Sequence, residues 1–335
     1  MFLKYFKSIV LFCIIIFAIS CAEPEKKIHL KGQAQGTYYS IIYFDESSRN
    51  LQVKIDSILD AFDQSVSVYQ PNSIVSKVNR NEDVLLDDWF INNFNAAIRI
   101  AELTNGAMDI TIAPLANIWG FGTYAQPDRI DSTLIDSLKL LVDYRAISIV
   151  DRKLIKQDPR IQLNFNAIAQ GNSVDIIGDF LVSLGITNFL IDIGGEVLAK
   201  GEKLNNENWI VGIEKPTENL TDERELQISF PLVNRAMATS GNYRKYYEID
   251  GVRYAHSLDP TTGFPVRHSV LSVSVLADNC TDADAYATAF MVMGMEKALA
   301  FIANHPEIQA YFIYFDALNG LQVKMSSGFE AILED

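Results

Sequence analysis

Hydrophobic positions along this chain switch repeatedly between a period of two and a period near 3.6. From His29 to Phe44, apolar and β-branched or aromatic residues alternate with polar ones, which predicts a strand or hairpin around Gly36. Leu51, Ile55, Ile58, Leu59 and Phe62 then recur at helical spacing and predict an amphipathic helix over about 49–64. Asp88 is a plausible N-cap for a second helix through Phe90, Phe94, Ile98 and Ala101, stopped by Asn105-Gly106. Segments 147–155 and 161–165 read as strands on either side of Asp158-Pro159. Val174, Ile177, Leu181 and Leu184 form a helical stripe closed by Gly185. Short apolar strands are expected at 189–193, 209–214, 226–233, 269–275 and 308–315, with a helix over 282–303 that Asp282 would cap.

Strands and helices are interspersed, with no short repeat, heptad or clean linker. The expected fold class is therefore α+β, a single compact unit of mixed sheets with packed helices over residues 28–335. Hydrophobic residues make up 49% of the 335-residue chain and charged residues 21%, which suits a substantial core. The formal net charge is −14. Nucleic acid is excluded as a partner on that ground, since its backbone needs clustered positive charge. A phosphorylated small molecule is not excluded, because one metal ion and a few donors can override the global field.

The first residues change the picture of where the protein works. Lys4 and Lys7 precede a short apolar run, Ser8 to Ile19, too short to span a bilayer comfortably. It ends at Ala18-Ile19-Ser20-Cys21, the arrangement of a bacterial lipoprotein signal. Residues 1–20 are expected to be cleaved, Cys21 to carry lipid, and 21–27 to act as a tether to the membrane. The expected location is the bacterial cell envelope, lipid-anchored and facing the periplasm. An ordinary signal peptide with an incidental cysteine is the other reading. Cys280 would then be the one remaining thiol in the folded part, so no intrachain disulfide forms.

Five segments carry candidate chemistry. Asp284 and Thr288 stand four residues apart, on one face of a helix, and offer hard oxygen ligands that suit Mg2+. An N-capping Asp and a helix-interior Thr would account for the same residues. Asn164 to Gly171 joins a strand to a helix, where backbone groups are free to meet an ion. His256, beside the turn Leu258-Asp259-Pro260, can act as a general base or serve the turn structurally. Arg244 can hold a phosphate in a bidentate grip or lie on the surface. Gly106-Ala107-Met108-Asp109 follows a helix stop, where small residues let a planar ligand approach.

Taken in order, these segments resemble the ApbE family, the FAD:protein FMN transferases. The matching pieces are Gly36-Thr37-Tyr38-Tyr39, Ser65 to Tyr69, Gly106 to Thr111, Pro114 to Gly122, Asn164 to Gly171, Asp192 to Glu196, Ala238 to Arg244, His256 to Gly263 and Ala283 to Thr288. The resemblance implies that FAD binds with Mg2+ and that a Thr or Ser hydroxyl of an acceptor flavoprotein takes the FMN moiety, releasing AMP. FAD pyrophosphatase activity, or flavin binding without catalysis, are the alternatives. By position, the metal ligands would be Asp284, Thr288 and the carbonyl of Ala167. FAD would meet Gln35, Tyr69, Ala107, Met108, Asp109, Asn164, Gln170, Arg244 and Leu258. His256 would be the base. Gln35, Asn164 and Gln170 depart from the family's common Met, Asp, and Lys or Glu at those places.

Overall fold

The computed structural model describes residues 26–123, 131–216, 225–242 and 257–334, with backbone alone at 246–249 and 252–255. The expected signal segment 1–20 and Cys21 lie outside the described residues. The first strand begins at Lys26, within the expected tether.

Period-two alternation builds one eight-stranded sheet, and every pairing in it is antiparallel. Its first strands are β1 (Lys26–Ala34) and β2 (Thr37–Asp45). Two more hairpins stand apart from it: β3 (Ile147–Val150) with β4 (Lys153–Lys156), and β7 (Trp209–Glu214) with β8 (Leu226–Leu232). The sheet continues with β5 (Phe189–Ile193), β6 (Glu196–Lys200) and β9 (Ala236–Gly241). After a small hairpin, β10 (Tyr246–Ile249) with β11 (Val252–Ala255), it closes with β12 (Val270–Ala277), β13 (Gln309–Asp316) and β14 (Gly320–Met325). The order across the sheet is β1-β2-β5-β6-β9-β12-β13-β14.

Alternate side chains go to opposite faces, and both faces are covered. Tyr39, Ile41 and Tyr43 of β2, with Ile191 and Ile193 of β5, pack against helices α1 (Gln52–Val66) and α6 (Ala169–Ser183). The intervening Phe44, Val197, Met237 and Leu276 face the β7–β8 ribbon and α9 (Ser327–Glu334). A second helical cluster joins α2 (Ile74–Asn79), α3 (Asp88–Leu103), α7 (Cys280–Met293) and α8 (Met295–Ile302) to β12 and β13. Each fully buried Ile, Leu or Phe there stabilises by about 1.5–3 kcal/mol. Two short helices, α4 (Ala113–Ile118) and α5 (Ser132–Lys139), pack with Trp119 and Leu258 in a small satellite core.

The sheet is nearly two sheets. β6 and β9 share two residue pairs, Val197 with Met237 and Leu198 with Ala236, and then part. Beyond those pairs the Gly194-Gly195 turn and the Thr239-Ser240-Gly241 end of β9 stand as two prongs of a fork.

Several expected boundaries shift for local reasons. Asp87, not Asp88, caps α3, accepting from the Phe90 N–H at 2.8 Å. The expected helix over 282–303 divides at Gly294, where φ is 78°. Its cap is Asn279, accepting from the Asp282 N–H at 2.8 Å, so the expected Asp282 cap is corrected. Segment 161–165 forms no strand. The Asn79 side chain takes the place of a ladder, accepting from Leu163 N–H at 2.7 Å and donating to its carbonyl at 2.8 Å. Strands β6, β9 and β14 escaped the periodic pattern, because each is short and bounded by small or polar residues.

Asp63, half-buried on α1, tests the packing of the β1–β2 tip against that helix. Burial raises its carboxyl to about 6, opposed by a hydrogen bond from Gln35 and reinforced by Asp60. The unfolded chain therefore loses this proton first, and ionised Asp63 weakens the fold progressively from about pH 4 to 6. Asp63→Asn keeps an acceptor for Gln35. It is expected to raise the Tm at pH 8 by about 2 °C and leave it unchanged near pH 3.5. A lower Tm at pH 8 in thermal melts would contradict this.

Candidate active site

The site is built where α6 and α7 cross beneath the fork. Gly171, in the first turn of α6, touches α7. A methyl group there would sit 2.2 Å from the Cys280 carbonyl oxygen and 2.8 Å from the Asp284 Cβ. Only glycine permits that approach, and it brings the Gly171 N–H to 3.0 Å from Asp284 Oδ2. No side chain of α6's own caps its N-terminus, so a carboxylate from α7 supplies an acceptor there. The favour is returned. Asp175 of α6 accepts from the Cys280 N–H at 2.8 Å, the Thr281 N–H at 2.8 Å and the Thr281 hydroxyl at 2.5 Å, at the start of α7. Each helix thus caps the other.

Burial pushes the Asp284 carboxyl well above the ordinary carboxylate range; the Gly171 N–H opposes this and the charge of Asp175 adds to it. One turn on, the Thr288 hydroxyl lies 3.3 Å from that of Ser240 at the tip of β9. A cleft of about 1030 Å3 opens over this pair. It runs from the helical side, past the fork, to the ribbon side of the sheet.

Most of the residues expected from sequence meet there. Asp284, Thr288 and Ala167 line the cleft together, as do Tyr69, Ala107, Met108 and Asp109. Asn164, Gln170 and Leu258 complete the set. Tyr69 OH accepts from Asn166 Nδ2 at 3.1 Å across the mouth. Gln170 Nε2 donates to the Ile193 carbonyl at 2.8 Å. A side chain at Gly194, which sits at φ 67°, would collide with that amide at 2.0 Å. Asp109 is committed to the backbone. Its Oδ1 accepts from Thr111 N–H at 2.8 Å and Thr111 hydroxyl at 2.7 Å, and Oδ2 from Tyr144 N–H at 2.9 Å. It fixes the loop that presents Ala107 and Met108.

Gln35 stands elsewhere. It occupies the β1–β2 turn at φ 54°, beside a separate small hollow, where its Oε1 accepts from the Ser173 hydroxyl at 3.2 Å. Arg244 and His256 lie outside the described residues. Ser257, next in sequence to His256, lines the cleft and donates to Asn242 Oδ1 at 2.7 Å.

Sequence reasoning missed Asp175 and Ser240 as site builders. The signal for Asp175 was present: an acid between Val174 and Ile176-Ile177 in an apolar helical stripe. Ser240 gave none of its own, because its placement depends on β9 joining the sheet.

The electrostatics favour a cation. Asp109, Asp192, Glu196, Glu214 and Asp284 line the cleft, and no lysine, arginine or histidine does among the described residues. The Asp284 carboxylate and Thr288 hydroxyl, with Ala167 lining the same cleft, offer hard oxygen donors of the kind that suits Mg2+ and not zinc. A phosphorylated ligand in so acidic a cleft needs such a counter-charge.

Gly171→Ala is expected to force α6 and α7 apart. The overpacking costs about 1–3 kcal/mol, read as a lower Tm, and turnover falls at least tenfold. Wild-type activity and melting would show that the two helices do not need this contact.

The chain matches the ApbE family over residues 35–312. It is 35% identical to the FAD:protein FMN transferase of Vibrio cholerae over 95% of this chain and 96% of that one. Identity to the Haemophilus influenzae FAD:protein FMN transferase is 32%, over 99% of both chains. Among solved structures, the flavin transferase ApbE from Vibrio cholerae superposes with a TM-score of 0.81 at 34% identity, covering 92% of this chain and all of that one. The apo flavinyl transferase ApbE of Pseudomonas stutzeri gives 0.82 at 29%, covering 93% and 98%. With its fold and most of its length in common with these proteins, the chain belongs to the ApbE family.

Proposed function

We propose that this protein is a Mg2+-dependent flavinyltransferase that moves the FMN moiety of FAD onto a threonine or serine hydroxyl of another protein. The observation that carries this reading is the meeting of Asp284, Thr288 and Ala167 in one acidic cleft, in a chain of the ApbE family.

The reaction is a displacement at phosphorus. The acceptor hydroxyl oxygen attacks the phosphorus of the FMN half of FAD. The bond from that phosphorus to the bridging oxygen breaks, and AMP leaves with that oxygen. The hydroxyl proton passes to His256, which acts as general base. Phosphoryl-type transfer depends on alignment and charge neutralisation more than on covalent help. Asp284, Thr288 and the Ala167 carbonyl would hold Mg2+, which supplies the positive charge the pyrophosphate needs. Gly171 keeps the Asp284 carboxylate aimed at the cleft. Tyr69, Ala107 and Met108 flank space for the isoalloxazine ring. Asn164 and Gln170 offer amide hydrogen bonds where charged residues are common in the family. Arg244 contributes a phosphate contact.

The protein works at the envelope, tethered through lipidated Cys21 with the catalytic unit facing the periplasm. Its acceptor is a Thr- or Ser-bearing flavoprotein subunit, of a membrane redox complex.

Incubation with FAD and Mg2+, with and without an acceptor protein, tests the reading. AMP and protein-bound FMN are expected to appear together in equal amounts. AMP release with no protein-bound flavin would sink it. Asp284→Asn keeps an acceptor for the Gly171 N–H but removes the charge. It is expected to cut turnover at least a hundredfold and to abolish the response to a Mg2+ titration. His256→Ala is expected to spare FAD binding, read by flavin fluorescence, and to slow transfer by about 100- to 10,000-fold. Loss of FAD binding would make its role structural.

A further inference from the structure

One side of the cleft has no part in the transfer chemistry described above. On the ribbon side of the fork, Ile210, Val211 and Gly212 of β7 all line it. A strand that offered one face would contribute every second residue. Three consecutive residues mean that the edge of β7 meets the cleft.

Proline fixes which backbone groups that edge presents. Ile210 stands opposite Pro231 of β8. Pro231 has no N–H, so this pair exchanges no ladder bonds. The hydrogen-bonded pairs are then Trp209 with Leu232 and Val211 with Phe230. Ile210 and Gly212 must point their N–H and C=O away from β8. Among the described residues nothing bonds to those outward groups, and β7 pairs with no strand but β8. The two edges of the ribbon differ. Pro231 deprives the outer edge of β8 of a donor, a common protection against unwanted pairing. The β7 edge carries no proline, and Ile210 is 52% exposed, while Val211 at 8% anchors the strand in the core.

We propose that this edge is the docking site for the acceptor protein, which adds an extended segment to β7 as a third strand. The inference rests on the transferase reading: a second macromolecular substrate must bring a hydroxyl to the phosphorus, and this edge opens into the same cleft as Asp284 and Thr288. Main-chain hydrogen bonds supply the affinity in such a mode, and alternate side chains supply the selectivity.

The test uses dodecapeptides with one central threonine, taken from the proteins that gain FMN in the host cell as identified by mass spectrometry. The best substrate is N-methylated one residue at a time. The expected KM rises about tenfold or more at every second position and little between them. Ile210→Pro removes an outward N–H without breaking a ladder bond. It is expected to raise KM for the peptide, and for the whole acceptor protein, about tenfold or more. FAD affinity by flavin fluorescence and the Tm stay at wild type. Ile210→Val keeps the N–H and stays within about twofold. A methylation profile without alternation overturns the proposal, as does an unchanged KM in a folded Ile210→Pro protein. Loss of FAD affinity in that variant would assign the edge to the flavin instead. Loss of a dimer with KM unchanged would assign it to a second copy. If the wild-type enzyme transfers FMN to neither peptide nor protein, the transferase reading itself fails and this inference falls with it.

Discussion

The contact between Gly171 and the first turns of α7 is the constraint on which the rest of the site depends. It lets two helices approach until each carries the other's cap. Asp284 gives α6 an acceptor it lacks, and Asp175 satisfies three donors at the start of α7. Asp284 is buried and Asp175 partly so, and burial raises the pKa of each. Charge-assisted hydrogen bonds of this kind are worth roughly 1.5–3 kcal/mol each, which offsets part of the desolvation. A cation at Asp284 would offset more. Function and stability are thus coupled through one carboxylate, which the fold holds at a cost and a metal would relieve.

Above that crossing, the sheet supplies the space. Two residue pairs between β6 and β9 are enough to keep one sheet continuous, and few enough to let its halves part. The fork exposes the ends of two strands and a tight glycine turn to the same cleft. Backbone groups and short side chains such as Ser240 can then reach a ligand, and larger ones would fill the gap. The ribbon on the far face extends the cleft. A bisubstrate reaction needs room for two partners with one phosphorus between them. A cleft that spans both faces of a sheet provides it without a separate domain.

Much of this was legible in the sequence, and the limits are physical. Helical stripes such as Ile55-Leu59-Phe62 and alternating strands such as β12 announce themselves, because burial on one face imposes a period. The proximity of Asp284 and Thr288 was legible because they belong to one helix, where spacing decides which side chains share a face. Ser240 and Asp175 were not, since their roles arise from tertiary contacts that no local period encodes. Segment 161–165 has strand-like composition, yet its backbone bonds scattered partners in place of a neighbour strand: the Asn79 side chain at Leu163, the Ile110 carbonyl at Asn164 and Lys156 at Ile161. Asp88 and Asp282 illustrate a smaller effect. Where two polar residues adjoin a helix start, backbone geometry decides which of them caps, and composition does not. The free edge of β7 is of another kind again. Pro231 is plain in the sequence, but its meaning depends on the register that sets it opposite Ile210.

The central claim is that the pyrophosphate of FAD lies in the fork, over Asp284 and Thr288. Crystals grown with FAD and Mn2+ in place of Mg2+ test it most directly, because manganese scatters anomalously. The account predicts an anomalous peak about 2.0–2.3 Å from an Asp284 carboxylate oxygen and from the Thr288 hydroxyl, with both phosphates of FAD against the same ion. A peak away from α7, or FAD bound with its phosphates outside the fork, would contradict it.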